Sequence, residues 1–81
     1  TKDKIEIDFL VALPNKKFLA IEVKSAPQDL SENQRRLLES PKIDILQTWI
    51  VVPNGAGSYG ERKIVRIEDL FGALQSLAHT G

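Results

Sequence analysis

The first part of the chain carries large apolar residues at every second position, which is typical of a half-buried strand. These positions are Ile5, Ile7, Phe9, Val11 and Leu13. Pro14-Asn15-Lys16 supplies turn chemistry, and a second run with strand character follows at residues 17–24. The pattern therefore predicts a β-hairpin made of residues 5–13 and 17–24.

Downstream, the pattern predicts a helix, two strands and a final helix. Residues 28–40 have helical character, with Ser31 and Gln34 at the spacing of a capping box and Pro41 as a stop. The remaining predicted elements are a buried strand at 48–52, a glycine-rich loop at 54–60, an alternating strand at 63–67 and a helix with the apolar stripe Leu70, Phe71, Leu74, Leu77 and Ala78.

The order β-β-α-β-β-α predicts an α/β (α+β) domain with one small mixed sheet and helices packed against it. The first two strands are expected to be antiparallel. The helical crossover brings the strand at 48–52 parallel to a neighbour. We expect Trp49 and Phe71 in the core.

Length and composition restrict the class of protein. Eighty-one residues suffice for one domain, residues 1–81, and 42% hydrophobic with 27% charged residues is typical of a globular chain. No apolar stretch approaches the roughly 20 residues of a membrane span, so we expect a cytoplasmic protein. Because Thr stands at position 1 and Met is absent, we expect the chain to be a piece of a longer protein.

The residue types that are present restrict the chemistry further. Without Cys, and with His79 as the only histidine, thiolate and histidine metal sites are excluded. A metal must be held by carboxylates and carbonyls, which favours Mg²⁺ or Mn²⁺. Eleven basic and eleven acidic residues cancel, which counts mildly against avid nucleic-acid binding.

Charged residues interrupt both strands of the predicted hairpin. Glu22 and Lys24 share a face because side chains alternate along a strand. Asp8 joins that face only if the hairpin loop has an odd number of residues. A three-residue loop gives paired residue numbers that add up to 30 and sets Asp8 opposite Glu22, whereas a two-residue loop gives 31 and turns Asp8 away.

In that register the two carboxylates lie ~5 Å apart at Cβ, and a bound divalent cation relieves their repulsion. Asp8, Glu22 and the carbonyl of Val23 are the candidate metal ligands, and Lys24 the candidate for orienting water or neutralising charge. The alternative is that Glu22 and Lys24 form an ordinary surface pair on a solvated face, with Asp8 as one more exposed residue.

Gln34 interrupts the apolar stripe of its helix, which comprises Leu30, Leu37 and Leu38. An inward glutamine needs a polar partner, and the charged sheet face supplies one. Alternatively, Gln34 only completes the capping box. Lys16, Lys17, Arg35 and Arg36 are candidates for contacts with nucleic-acid phosphates, or they form an ordinary wetted surface.

Two segments, Glu6-Ile7-Asp8-Phe9-Leu10 and Ala20-Ile21-Glu22-Val23-Lys24-Ser25, resemble the PD-(D/E)xK nuclease superfamily, which includes restriction-type, RecB-like and Holliday-junction-resolving enzymes. The chain looks most like the nuclease-like domain at the C-terminal end of some AAA-type ATPases. The likeness in motif and element order spans residues 5–77.

The resemblance implies a restriction endonuclease-like core. In it, Asp8 and Glu22 bind Mg²⁺, Lys24 is catalytic and Gln34 matches a helix glutamine of the RecB-like branch. It departs from the family pattern at three places: Leu38 stands where a tyrosine is frequent, Ile7 replaces a proline, and the usual N-terminal helix has no counterpart in residues 1–4.

The sequence leaves three hypotheses about function open. The first is a Mg²⁺-dependent nuclease domain that hydrolyses DNA, as an endonuclease rather than an exonuclease. The second is a catalytically inactive nuclease-like module that contacts nucleic acid or protein for an attached ATPase. The third is a structural α/β domain with solvated strand charges.

Overall fold

The computed structural model of the protein describes residues 7–80, with side chains up to Leu77. Its helices and strands are β1 (Phe9–Leu13), β2 (Lys17–Val23), α1 (Glu32–Leu38), β3 (Ile45–Val52), β4 (Ser58–Tyr59), β5 (Arg62–Arg66) and α2 (Leu70–Thr80). Residues 5 and 6 of the predicted first strand, and the side chains of Ala78 and His79, lie outside this description.

The strands form one mixed sheet in the order β1-β2-β3-β5-β4. The three inner strands β2, β3 and β5 run parallel, and the edge strands β1 and β4 are antiparallel to their neighbours. The domain is therefore a small mixed α+β unit with five strands and two helices. Four strands were predicted, and that number is wrong because Ser58–Tyr59, within the glycine-rich loop, pairs with β5 as a two-residue strand.

The hairpin has the predicted odd-length connection. Pro14–Lys16 form a three-residue turn between β1 and β2. Asn15 and Lys16 both adopt positive φ, 68° and 63°, a conformation that asparagine tolerates better than most residues. Phe9 pairs with Ile21, so the paired residue numbers add up to 30.

The central strand β3 is buried on both faces, as its continuous apolar run predicts. Trp49, Ile50, Val51 and Val52 are each at most 2% exposed, and β3 begins three residues earlier than predicted. Its side chains alternate between two apolar clusters, one on each face of the sheet: Trp49 and Val51 belong to one, and Ile50 and Val52 to the other. The sheet is thus the middle layer between two helices.

Helix α1 lies on one face of the sheet, where its residue Leu38 packs against the cluster of Leu30, Ile50, Val52 and Ile64; Leu30 precedes the helix. Its predicted start at residue 28 is wrong, because Ser31 is extended (φ −67°, ψ 162°) and acts as the N-cap. The helix ends at Leu38, before Pro41, because residues that precede a proline disfavour helical geometry.

Helix α2 packs on the opposite face through a stripe at helical spacing: Leu70, Ala73, Leu74 and Leu77. Phe71 was expected in the core, and this is wrong because its side chain is 72% exposed. Successive residues lie about 100° apart around a helix, so Phe71 lies off the stripe that begins at Leu70.

Neither of the two described helices has the length and apolar character that a membrane-spanning helix needs.

The different burial of Leu19 and Phe71 predicts different costs of truncation. Leu19 is fully buried on the face that α2 covers, so Leu19→Ala should lower the free energy of unfolding by about 2–5 kcal/mol. Phe71→Ala should change it by less than about 0.5 kcal/mol, as surface substitutions do. Urea unfolding followed by Trp49 fluorescence measures both, and equal losses would contradict the described packing of α2.

Candidate functional site

Two hydrogen bonds connect Asp8, at the start of the hairpin, with Glu22 and Val23 at the end of β2. Asp8 lies one residue before β1, not within a strand as predicted, and the β1–β2 register continued by one residue sets it opposite Glu22. The backbone N–H of Asp8 donates to Glu22 Oε1 at 3.1 Å. In return, the N–H of Val23 donates to Asp8 Oδ2 at 2.8 Å. Each carboxylate is therefore held by the backbone of the opposing strand.

Glu22 is a buried carboxylate, only 8% exposed. A buried charge is costly unless it is paired and hydrogen-bonded. Lys24, two residues further on the same face, places its Nζ 3.7 Å from Glu22 Oε2, and its own side chain is 19% exposed. The alternative of a solvated surface pair does not describe Glu22 and Lys24, since both charged groups are largely withdrawn from water. Asp8, in contrast, is exposed, as that alternative stated.

Gln34 approaches the same carboxylate from helix α1. Its Nε2 donates to Glu22 Oε2 at 2.7 Å. Its Oε1 accepts the N–H of Ser31 at 3.0 Å, while the Ser31 hydroxyl accepts the N–H of Gln34 at 3.1 Å. The two alternative roles of Gln34 are therefore both present, because one amide group completes the capping box and binds Glu22 at once.

The donor set of this cluster is suited to a hard cation. Each carboxylate oxygen carries two lone pairs, so the hydrogen bonds to Asp8 and Glu22 leave acceptor capacity for a further ligand. The described residues contain no group of three or more histidine, aspartate or glutamate side chains arranged to hold a metal. A cation here would bind two carboxylates, a backbone carbonyl such as that of Val23, and water.

Two of the candidate phosphate contacts lie far from this cluster. Lys16 is exposed in the turn of the hairpin, and Lys17 begins β2, where its Nζ bonds Asp44 Oδ2 at 2.8 Å. Five residues of strand, about 17 Å, separate Lys17 from Glu22. These lysines do not share a pocket with the carboxylates.

The two arginines of α1 differ from each other. Arg36 is exposed and bonds Glu32 one turn earlier at 2.7 Å. Arg35 is half-buried, and its Nε is a buried nitrogen without a hydrogen-bond partner. The positive charge of Arg35 also contributes to lowering the pKa of Asp29, after the hydrogen bond from Arg62.

An ion pair that the sequence pattern did not predict connects the residues before α1 to the sheet. Arg62 on β5 donates from Nε and Nη2 to the two oxygens of Asp29, at 2.6 and 2.9 Å. The hydrogen bond from Arg62 holds the pKa of Asp29 below its usual range, against the opposing effect of burial. Asp29 and Arg62 are 33 residues apart, and no local spacing rule connects them.

Comparisons of the chain with protein-family models, with curated proteins and with solved structures each found no match. Any account of function therefore depends on the geometry of the cluster and on the motif resemblance.

The Asp29–Arg62 pair predicts a pH dependence of stability. Because the folded-state pKa of Asp29 is lowered, its contribution is present above the unfolded value of about 3.9 and is lost as pH falls through the folded value. At pH 7, Asp29→Asn should cost roughly 1–2 kcal/mol, between an exposed ion pair and a hydrogen bond to a charged group.

Urea unfolding of both proteins from pH 7 to pH 2 measures this effect, and the difference between them should shrink toward zero at the acid end. Asp69→Asn is the matched control, since the Arg66–Asp69 pair is 46% and 55% exposed and should contribute less to stability than the Asp29–Arg62 pair. A cost for Asp29→Asn that stays constant with pH would argue against the ion pair as its origin.

Proposed function

We propose that this domain is a Mg²⁺-dependent (or Mn²⁺-dependent) nuclease that hydrolyses phosphodiester bonds of DNA, with a restriction endonuclease-like fold of the PD-(D/E)xK type. One observation supports the proposal: reciprocal hydrogen bonds join Asp8 to Glu22 and Val23 across the hairpin, and the ammonium of Lys24 lies 3.7 Å from Glu22 Oε2. An endonuclease fits better than an exonuclease by resemblance to the restriction-type enzymes.

Asp8, Glu22 and the carbonyl of Val23 are the proposed metal ligands. Oxygen ligands of this kind are what Mg²⁺ and Mn²⁺ prefer. When bound, the cation supplies Lewis-acid chemistry, lowering the pKa of water and offsetting phosphate charge. The Asp8 N–H donates to the Glu22 carboxylate and the Val23 N–H donates to the Asp8 carboxylate. These two hydrogen bonds pre-orient both carboxylates, which is the requirement for such a site.

Lys24 is the proposed catalytic residue that touches the reacting groups. Its ammonium either orients the attacking water or neutralises the charge that develops on the phosphate oxygens. Water is the nucleophile, so hydrolysis forms one P–O bond and breaks another without a covalent enzyme intermediate. Gln34 holds Glu22 in place through the 2.7 Å hydrogen bond and completes the proposed catalytic set.

DNA is the proposed substrate, and Lys16, Lys17, Arg35 and Arg36 are the proposed contacts to its backbone. Lys16 and Arg36 are exposed. The ion pairs of Lys17 and Arg36 have exposed partners, so they cost little to exchange for phosphate. An attached or associated AAA-type ATPase is the proposed protein partner, and it rests on the resemblance alone.

One observation favours a second function, a nuclease-like accessory module without catalysis. The Glu22 carboxylate already accepts hydrogen bonds from Asp8 and Gln34 and lies beside Lys24, so the chain compensates its charge without a cation. The balance of eleven basic and eleven acidic residues also favours contacts made together with a partner domain. Cation binding without cleavage distinguishes this function from the first.

Substitutions at Asp8 and Lys24 test the nuclease. Asp8→Asn should abolish both Mn²⁺ binding at the cluster and Mg²⁺-dependent nicking of supercoiled plasmid. Lys24→Ala should retain binding but slow nicking by about 100-fold or more, as loss of a charge-stabilising donor does. Paramagnetic broadening of amide signals locates Mn²⁺ residue by residue, and gel electrophoresis follows the plasmid.

Lys42→Ala is the matched control, because Lys42 is an exposed lysine in the connection between α1 and β3. It should cut and bind Mn²⁺ as the unmodified chain does. If both Asp8→Asn and Lys24→Ala proteins still nick the plasmid, the activity comes from a contaminant and the enzymatic proposal is wrong. Localised Mn²⁺ binding with no nicking in any protein would favour the accessory module.

The proposed phosphate contacts predict a change in salt dependence. Each contact to duplex DNA contributes about 0.9 to the slope of log affinity against log salt concentration. Lys16→Ala and Arg36→Ala should each reduce that slope by about 0.9, measured by fluorescence anisotropy with a labelled duplex in Ca²⁺ to prevent cleavage. Lys42→Ala should leave it unchanged, and equal slopes for all four proteins would remove these residues from the DNA interface.

A further inference from the structure

A bidentate ion pair joins the connection before α1 to strand β5. The guanidinium of Arg62 bonds both oxygens of Asp29, at 2.6 and 2.9 Å, and the two side chains are 22% and 29% exposed. A fork of this kind fixes orientation as well as distance. Strand β5 is held by the parallel ladder to β3, so Asp29 is tied to a rigid part of the sheet.

The same aspartate also organises the chain just before the helix. Asp29 Oδ1 accepts the N–H of Leu30 at 2.7 Å. Leu30 is 4% exposed and packs against Ile50, Val52 and Ile64. The chain therefore enters α1 from two adjacent residues whose positions are both fixed, one by an ion pair and one by burial.

The capping box at the start of α1 connects these fixed residues to Gln34. Ser31 is the N-cap, and its side chain and backbone bond the N–H and the Oε1 of Gln34. Because Oε1 is engaged with Ser31, the Nε2 end of the amide is the one directed at Glu22 Oε2, 2.7 Å away. The position of Gln34 relative to Glu22 depends on the position of the helix start.

We propose that Arg62 is a positioning residue for the carboxylate cluster: by holding Asp29 it fixes the start of α1 and so aims the Gln34 amide at Glu22. For cation affinity this inference rests on the proposed function. The geometric part, the orientation of Gln34 toward Glu22, rests on six hydrogen bonds between four pairs of residues: Arg62–Asp29, Asp29–Leu30, Ser31–Gln34 and Gln34–Glu22.

The shortness of α1 explains why such an anchor matters. Seven residues make about two turns, and a helix of that length is marginal by itself in water. Its place is set by Leu30 and Leu38 underneath and by Asp29 at its start. Apolar contacts tolerate a small sliding motion, whereas a hydrogen bond of 2.7 Å does not. Loss of the ion pair should therefore affect the Gln34–Glu22 contact before it affects the fold.

The experiment compares Arg62→Gln with Arg66→Gln. Arg66 lies on the same strand and also pairs with an aspartate, through one hydrogen bond from Nε to Asp69 Oδ2 at 3.0 Å. Asp69 directly precedes α2 and not α1. The first measurement is the NMR signals of the Gln34 side-chain amide, and their exchange with solvent, in metal-free protein. The second is the affinity for Mn²⁺ at the cluster.

In Arg62→Gln the Gln34 amide signals should shift, and their exchange with solvent should speed up by about threefold or more. Mn²⁺ affinity should fall by about threefold to tenfold, less than the 10–100-fold effect of a direct outer-shell partner. Arg66→Gln should leave both measurements within twofold of the unmodified chain. Asp29→Asn, which keeps an oxygen acceptor for the Leu30 N–H, should reproduce Arg62→Gln and carries the test if that variant does not fold.

Unchanged Gln34 signals and unchanged Mn²⁺ affinity in a folded Arg62→Gln or Asp29→Asn protein would overturn the proposal, even if its unfolding temperature is lower. A changed Gln34 signal in a series where no protein, including the unmodified chain, binds Mn²⁺ would leave the positioning role standing. The proposed metal-dependent function would then be the part that fails.

Discussion

The register of the β1–β2 hairpin is the constraint on which the candidate site depends. Strand side chains alternate between the two faces, so a slip of one residue would send Asp8 to the face covered by α2. The three-residue turn, with Asn15 and Lys16 at positive φ, prevents this slip and pairs Phe9 with Ile21. A local feature of the backbone thus decides which side chains meet at the opposite end of the strands.

Because Glu22 is buried, other parts of the fold must supply hydrogen-bond donors to its carboxylate. A carboxylate that is 8% exposed requires donors, and each comes from a different place: the backbone of Asp8 before β1, the amide of Gln34 on α1 and the ammonium of Lys24 after β2. Sheet and helix therefore meet at one charged group. The ion pair of Asp29 with Arg62 connects β5 to the residues just before α1.

Much of this could be predicted from local sequence, and the failures have a common cause. Periodicity located the hairpin, the doubly buried strand and the capping box at Ser31, because each depends on residues close in sequence. The start of α1, the two-residue strand β4 and the Asp29–Arg62 pair depend on partners that only the tertiary structure supplies. The prediction that Phe71 lies in the core is wrong for a different reason. Adjacent residues of a helix point about 100° apart, so a residue next to the apolar stripe can be exposed even though it is apolar.

Stability by itself does not call for a carboxylate at position 22. Replacing a buried charged network with apolar groups of similar volume is frequently neutral or stabilising, and Ala20, Ile50 and Val52 on this face are fully buried apolar residues. A glutamine or leucine at position 22 would relieve the desolvation cost that Lys24 and Gln34 now offset. Binding a hard cation beside Asp8, in contrast, is a task for which a carboxylate is specifically suited. This asymmetry between what folding needs and what ligation needs is the physical reason for interpreting the cluster as a metal site.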